Sequence, residues 1–209
     1  MPAYKPAAKN GEAEFTEKKS RFIGHLAPVS SEEEALTFLE KIRAENRTAS
    51  HNVFAYRLRE QNLERASDDG EPQGTAGVPV LKVLQGKELV DCCCVVTRYF
   101  GGTLLGTGGL ARAYTQAAVL ACEASGILTM AEMLDLELET DYPGYGRLEH
   151  YAAEKGIRVL GAEFGASVTF RLRIFPVDLL PFEHDIAELT NGAVKPVLIG
   201  KGWHAAEAE

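Results

Sequence analysis

The chain has 209 residues, a hydrophobic fraction of 45% and a formal net charge of −8 at pH 7. This composition is typical of a protein with a packed core, and no apolar run approaches the roughly 18 residues that span a membrane. An acidic chain is a poor general binder of nucleic acid. Residues 1–15, MPAYKPAAKNGEAEF, lack the apolar segment of a signal peptide, so we expect a cytoplasmic protein.

The first elements along the chain are a strand, a helix and a second strand. Residues 18–29 read as a strand with a basic start, and Ser31-Glu32-Glu33-Glu34 is a capping box that predicts a helix. Residues 51–59, HNVFAYRLR, alternate as a strand does. One face of this strand carries apolar side chains that we expect to point inward, Phe54, Tyr56 and Leu58. The opposite face carries the polar side chains His51, Arg57 and Arg59.

Residues 67–77, SDDGEPQGTAG, have the composition of a loop. Thr75 is a candidate N-cap for a helix that follows the loop. Asp68, Asp69 and Glu71 are candidate contacts for a cation such as Mg²⁺ or for a ligand, because they place three carboxylates within four positions. Solvated turn acids are the interpretation that we favour, and we predict no bound metal.

Residues 91–126 form the stretch around which the first part of the chain is organised. An apolar run at 92–96 predicts a buried strand, a glycine-rich turn follows, and a helical apolar stripe runs from Leu110 until Gly126. The unpaired amides and the dipole at a helix start favour a bound anion. The predicted anion site consists of Gly101, Gly102, Thr107, Gly108 and Gly109, with Thr107 as N-cap. Arg98 and Arg112 would add positive charge.

An alternative interpretation is that these glycines only shape a tight turn. The run matches neither GxGxxG nor GxxxxGK[ST], so it is not a nucleotide-binding fingerprint. The three adjacent cysteines, Cys92, Cys93 and Cys94, point to alternating faces of a strand, and this arrangement suits neither a shared metal nor a set of disulfides. With Cys122 on the following helix, we expect four reduced thiols.

A second domain is predicted from a shift in charge and from a new series of elements. Residues 1–126 carry 15 basic and 16 acidic side chains, whereas residues 127–209 carry 7 and 14. The second part reads as β-α-β-β-α-β, which is the ferredoxin-like order. We therefore place the domains at 1–126 and 127–209, and we expect any nucleic-acid contact on a local patch of the first.

Two long motifs resemble the IMPACT (imprinted ancient) family in its bacterial YigZ-like branch. They are DDGEPQGTAGVPVLKVL at residues 68–84 and VVTRYFGGTLLGTGGLARAY at residues 95–114. The segment HNVFAY at 51–56 is similar to the family's histidine-containing strand, although many members have Cys where Val53 stands. The resemblance covers about residues 15–126, and the C-terminal part is similar to the second domain of the bacterial branch.

The resemblance implies an α+β protein. The first domain would have the fold of ribosomal protein S5 domain 2, and the second would be a ferredoxin-like domain similar to one in elongation factor G. Eukaryotic relatives act in translational control by competing for the activator of the general-control kinase. Because that partner system is eukaryotic, we expect a link with translation or RNA but not the kinase-regulating role.

Three functions remain open from the sequence. The first is a module that binds RNA or the ribosome, in which Arg98 contacts phosphate, an exposed ring of Tyr99 or Phe100 stacks on a base, and basic side chains of nearby strands assist. The alternative for Tyr99 and Phe100 is that they are core residues at the end of a strand. The assisting residues would be His51, Arg57, Arg59, Lys18, Lys19 and Arg21. The second is an enzyme or binding protein for a phosphorylated small molecule that uses the glycine-rich loop, with no catalytic residue or cofactor identified. The third is a protein-interaction scaffold whose partner is unknown.

Overall fold

The structure, a computed structural model, describes residues 3–206. Contacts within the chain divide these residues into two compact units, one formed by residues 4–129 and the other by residue 3 with residues 130–206. We call them the N-terminal and C-terminal units. Each unit combines an antiparallel sheet with helices, so the predicted α+β fold class is confirmed. None of the helices in the described part of the chain is long and apolar enough to cross a membrane.

The N-terminal unit is built on a five-stranded sheet. After the short β1 (Ala3–Tyr4), its strands are β2 (Gly11–Glu17), β3 (Ser20–Pro28), β4 (His51–Leu58), β5 (Leu63–Ser67) and β6 (Cys92–Tyr99). Their order in the sheet is β2-β3-β6-β4-β5, and every neighbouring pair is antiparallel. The sequence analysis missed β2 and β5 because both are edge strands with largely exposed, polar side chains.

Helices cover both faces of this sheet. The helix α1 (Glu32–Glu45) packs on one face, while α2 (Gly77–Gly86) and α3 (Thr107–Ser125) pack on the other. The side chain of Ser31 accepts a hydrogen bond from Glu34 N at 3.2 Å, as the capping box predicts. Since β6 is buried on both sides, its residues 92–96 form a continuous apolar run rather than an alternating one.

The strand β4 is a correction to the sequence analysis. Tyr56 and Leu58 do enter the core under α1, but Val53 and Ala55 on the opposite face are also fully buried, under α2 and α3. The face predicted to point outward is therefore an inner face. This difference arises because β4 is a central strand covered by helices on both sides.

The C-terminal unit has the predicted β-α-β-β-α-β order. Its elements are β7 (Thr129–Thr140), α4 (Tyr142–Glu154), β8 (Arg158–Phe164), β9 (Val168–Ile174), α5 (Leu179–Leu189) and β10 (Val197–Ala206). The strand order β10-β7-β9-β8 is that of a ferredoxin-like sheet, and β1 also pairs with β7. The helices cover a core that contains Leu138, Phe170 and Ile186. Alternate side chains of the sheet form cross-strand ion pairs, including Asp135 with Arg173.

Candidate functional site

Four connections meet at one end of the N-terminal sheet, which we call the loop end. They are the two-residue turn between β2 and β3, residues 46–50 before β4, residues 68–76 after β5, and residues 100–106 after β6. The strand registers bring them together, because Phe22 of β3 and His51 of β4 both lie opposite Arg98. The residues predicted for binding, except Arg57 and Arg59 at the far end of β4, belong to these connections or to the elements beside them.

Hydrogen bonds fix the first residues of the 100–106 connection. Ser50 N donates to Arg98 O at 2.9 Å, and Phe100 N donates to the Ser50 hydroxyl at 3.2 Å. Gly101 N donates to the Ser20 hydroxyl at 3.2 Å. A β-carbon on Gly101 would lie 2.0 Å from the carbonyl carbon of Lys19, so only glycine fits at this point. These contacts therefore fix the position of the backbone at the start of the glycine-rich connection.

A buried polar network lies beneath the loop end and is centred on Glu71. Arg98 Nη1 donates to Glu71 Oε1 at 2.5 Å, and the Tyr114 hydroxyl donates to the same oxygen at 2.7 Å. The Arg98 and Glu71 side chains are only 5% and 4% exposed. Burial and the Glu71 carboxylate raise the pKa of Tyr114. His51 Nδ1 lies 2.8 Å from the carbonyl oxygen of Asp69, so His51 helps to hold the connection that carries Glu71.

Arg98 is thus a structural residue and not the surface arginine that the sequence analysis expected. Its Nη2 donates to the Ser20 hydroxyl at 3.3 Å, and its guanidinium carbon lies 5.4 Å from the ring centres of both Phe22 and Phe100. The Nε atom is buried and has no hydrogen-bond partner in the described part of the chain. A guanidinium placed in this way holds Phe100 and Glu71 together and is not available to a phosphate in solution.

The three carboxylates of the 68–76 connection bind different internal partners. Asp68 accepts from Gly74 N at 2.8 Å, Ala76 N at 3.0 Å and Gly77 N at 2.8 Å. Desolvation alone would raise the pKa of Asp68, but these three amide bonds outweigh it and the pKa is lowered. Asp68 therefore caps α2, a role that the sequence analysis gave to Thr75.

Thr75 and Asp69 of this connection also form internal hydrogen bonds. The hydroxyl of Thr75 donates to Pro72 O at 2.6 Å and takes no part in capping α2. Asp69 accepts from Asn52 N at 2.6 Å and from Arg43 Nη2 at 3.1 Å. Among residues 3–206, no group of three His, Cys, Asp or Glu side chains is placed to hold a metal ion. The carboxylates organise the loop end and do not converge on a cation.

The start of α3 is open to solvent. Its N-cap is Gly106 (φ 73°) and not Thr107, because the chain needs a left-handed conformation there and no side chain caps the helix. The first backbone bond at this end runs from Leu110 N to Gly106 O at 2.9 Å, which leaves the amides of residues 107–109 without an intrahelical acceptor. A β-carbon on Gly108 would meet only Arg112 Nη1, at 3.5 Å.

Phe100 is the exposed aromatic residue of the loop end, and Tyr99 is not. The Phe100 ring is held beside Arg98 while the residue remains 47% exposed, and Leu104 is 83% exposed. Tyr99 points to the α1 face, where its hydroxyl donates to Asn46 Oδ1 at 2.8 Å. Alternation along β6 explains the difference, since residues 98 and 99 must point to opposite faces.

Arg57 lies at the far end of β4, about 20 Å from His51 along the strand. Its Nε donates to Glu64 at 2.6 Å and its Nη1 donates to Leu89 O at 2.7 Å, so it joins neighbouring segments of the domain. It cannot act together with the loop end. Among the described residues, the groups of the loop end that lack an internal partner include backbone amides, basic side chains and an aromatic ring.

Fold and site together define a two-domain α+β protein whose N-terminal domain presents a rigid set of loops and whose C-terminal domain is ferredoxin-like. The family model of the Impact N-terminal domain matches residues 18–122, and the family model of a domain of unknown function (DUF1949) matches residues 138–193. The chain belongs to the IMPACT family. The loop end lies wholly within the part that matches the Impact N-terminal domain.

Similar proteins occur in bacteria and in vertebrates. The chain is 39% identical to the IMPACT family member YvyE of Bacillus subtilis (strain 168) over 193 residues, covering 92% of this chain and 89% of that protein. It is 31% identical to YigZ of Escherichia coli (strain K12) over 185 residues, covering 87% and 91%. Protein IMPACT-A of Xenopus tropicalis is 37% identical over 107 residues, which cover 48% of this chain and 33% of that protein. A crystal structure of a hypothetical protein superposes with a TM-score of 0.60 at 30% identity, over 96% of this chain and 98% of the other.

Proposed function

We propose that this protein binds RNA, free or within the ribosome, through the loop end of its N-terminal domain and acts in the regulation of translation. One observation carries the proposal. At the loop end the acidic side chains of the 68–76 connection are satisfied by internal donors. The basic residues Lys18, Lys19 and Arg112, by contrast, have no ion pair within the described residues. This surface is therefore locally basic although the whole chain is acidic.

The groups at the loop end that lack internal partners are of the kinds that bind the phosphates and bases of RNA. Unpaired amides of residues 107–109 and the positive end of the α3 dipole favour a phosphate, and Arg112 lies one turn further along the same helix. The exposed ring of Phe100 can stack on an unpaired base. Proteins read RNA mainly at single-stranded segments, where bases are free to stack. A single strand that crosses residues 100–112 is the ligand that fits this surface.

The link with translation rests on family resemblance. The N-terminal domain is similar to eukaryotic IMPACT proteins over 107 residues, and the resemblance described above implies translational control for those relatives. The bound RNA would then be ribosomal or messenger RNA.

A binding titration with a labelled, mixed-sequence single-stranded RNA over a series of salt concentrations tests the proposal. Removing the charge by Arg112→Gln should reduce the slope of log affinity against log salt by about 0.7, the value for one phosphate contact on a single strand. Phe100→Ala should weaken binding about tenfold or more and leave the slope unchanged, since stacking carries no charge. The matched control is Lys82→Ala, which removes an exposed charge from α2 and should bind as the wild type does.

Circular dichroism of each variant confirms that it is folded. Equal affinity in all four folded proteins would overturn the proposal. A second arm with inorganic phosphate and nucleoside phosphates separates the alternative function. Saturable binding of these molecules, sensitive to Gly108→Val and without binding of RNA, would assign the start of α3 to a phosphorylated small molecule.

A further inference from the structure

The turn between β2 and β3 has a backbone conformation that does not match its residues. Glu17 and Ser20 form the last pair of the two strands, so only Lys18 and Lys19 make the connection. We call these two residues the lysine turn. Their φ angles are 46° and 67°, both in the left-handed region. Positive φ at both positions is typical of a type I′ hairpin turn, in which Asn-Gly is the preferred pair, because a β-carbon is crowded in this region.

Contacts of the lysine side chains do not compensate for this conformation. Both residues are exposed, and neither side chain forms a hydrogen bond or an ion pair within the described part of the chain. The turn is nevertheless held in place. The backbone of Lys19 packs directly against Gly101, and the neighbouring Ser20 hydroxyl accepts from Gly101 N. The backbone that carries these two unpaired side chains is therefore held beside Gly101 of the glycine-rich connection.

The charges around the turn leave it basic. Glu17 precedes the lysines and is exposed, while the next carboxylate along β2, Glu14, is paired with Arg21 on β3. Strained conformations of this kind persist where the function requires the residue. The two exposed lysines lie next to a proposed phosphate site, so contact with phosphate is the function that explains their conformation.

We propose that the lysine turn is a second phosphate-binding element, in which Lys18 and Lys19 contact the backbone of the RNA strand that crosses the loop end. The inference rests on the proposed function, and it extends the binding surface from the start of α3 across Gly101 to the β2–β3 hairpin. The RNA would then contact both sides of the 100–106 connection. Phe100 would meet a base between the two phosphate-binding elements.

The decisive variant is the double substitution Lys18→Asn with Lys19→Gly. It installs the pair that the backbone prefers and removes both charges. We expect its Tm to equal or exceed that of the wild type, while the salt slope for single-stranded RNA falls by about 1.4, which corresponds to two phosphate contacts. Lys18→Arg with Lys19→Arg keeps both charges and should retain the wild-type slope. Lys41→Ala with Lys82→Ala removes two exposed charges from α1 and α2 and should also leave the slope unchanged.

The outcomes separate this inference from the function on which it rests. A wild-type slope in the Asn-Gly variant, together with a reduced slope in Arg112→Gln, would overturn the role of the lysine turn and leave RNA binding at α3 intact. A lower Tm of the Asn-Gly variant would also overturn it, because the lysines would then be explained by stability. Absence of RNA binding by the wild type would overturn the proposed function and this inference together.

Discussion

Replacing Glu71 by glutamine should strongly destabilise the N-terminal domain. The carboxylate accepts from Arg98 at 2.5 Å and from Tyr114 at 2.7 Å, in a site where the two charged side chains are 5% exposed or less. Glutamine has nearly the same size, but it removes the negative charge and leaves the Arg98 guanidinium buried without a counter-charge. Removing one partner of a buried ion pair costs about 3–5 kcal/mol.

Glu14→Gln is the matched control. Glu14 also pairs with an arginine, Arg21, but their side chains are 55% and 52% exposed. Exposed ion pairs contribute little to stability, so this variant should unfold close to the wild type. Tyr114→Phe, combined with Glu71→Gln in a double-mutant cycle, would then give the coupling between the hydroxyl and the carboxylate.

Amide hydrogen exchange of peptides from β6 is the appropriate assay, because it measures the opening free energy of this domain without assuming that both domains unfold together. Urea unfolding followed by circular dichroism gives an independent estimate. If the β6 amides are equally protected from hydrogen exchange in the Glu71→Gln and Glu14→Gln variants, the Glu71 carboxylate is not the counter-charge of Arg98. The description of the loop end as a surface built on a buried ion pair would then be wrong.

Three further predictions concern other parts of the N-terminal domain. Asp68→Ala should lower the free energy of unfolding by about 1–2 kcal/mol, because the carboxylate caps α2; unchanged urea unfolding would contradict this role. Burial lowers the pKa of His25 below 6.5 although Glu12 and, more weakly, Glu45 oppose the shift. The contribution of His25 to the free energy of unfolding should therefore be fully present above pH 6.5 and be lost as the pH falls through the folded pKa, and an NMR titration of the ring with a midpoint above 6.5 would refute this. All four cysteines are buried, and burial raises the pKa of Cys93 to about 12 and of Cys122 to about 11. A thiol reagent should label no cysteine in the native protein and all four after unfolding, and a rapidly reacting native thiol would contradict this expectation.

Local patterns predicted the parts of the fold that depend on nearby residues. The capping box at Ser31 and the strand–turn–helix order of residues 92–126 are visible in short windows, and the structure has both. The N-cap of α3 was placed one residue late, at Thr107. A threonine is the commoner capping residue, but the backbone before it requires positive φ, which Gly106 adopts at low cost.

The residues of the site were harder to predict because their partners are distant in the chain. Arg98 ends an apolar strand and reads as an exposed residue until Glu71, 27 positions earlier, is seen to provide its counter-charge. The acids at 68–71 read as solvated turn residues, with a cation site as the alternative, for the same reason: the amides and the arginines that they bind are not adjacent to them in the chain. One signal was available: strict alternation along β6 puts Tyr99 on the face opposite Arg98 and Phe100.

Composition alone does not show where a basic surface lies on the N-terminal domain. Residues 1–126 are nearly neutral, but this balance includes carboxylates such as Glu71 and Asp68 that are buried or bonded to backbone amides. What a ligand meets at the loop end is the charge that remains after internal pairing, to which Lys18, Lys19 and Arg112 contribute. An acidic protein can therefore present a locally basic surface.

The buried network and the exposed surface should respond differently to substitution. This difference separates residues that stabilise the domain from residues proposed to contact RNA. Glu71→Gln should lower stability and RNA affinity together, because Phe100 and the 100–106 connection depend on the position of Arg98. Arg112→Gln should lower affinity alone, since its side chain pairs with no acid in the described chain. The Asn-Gly variant of the lysine turn should lower affinity while stability is kept or increased. A surface that only stabilised the fold could not produce the last two patterns, because each requires affinity to fall in a protein that is no less stable.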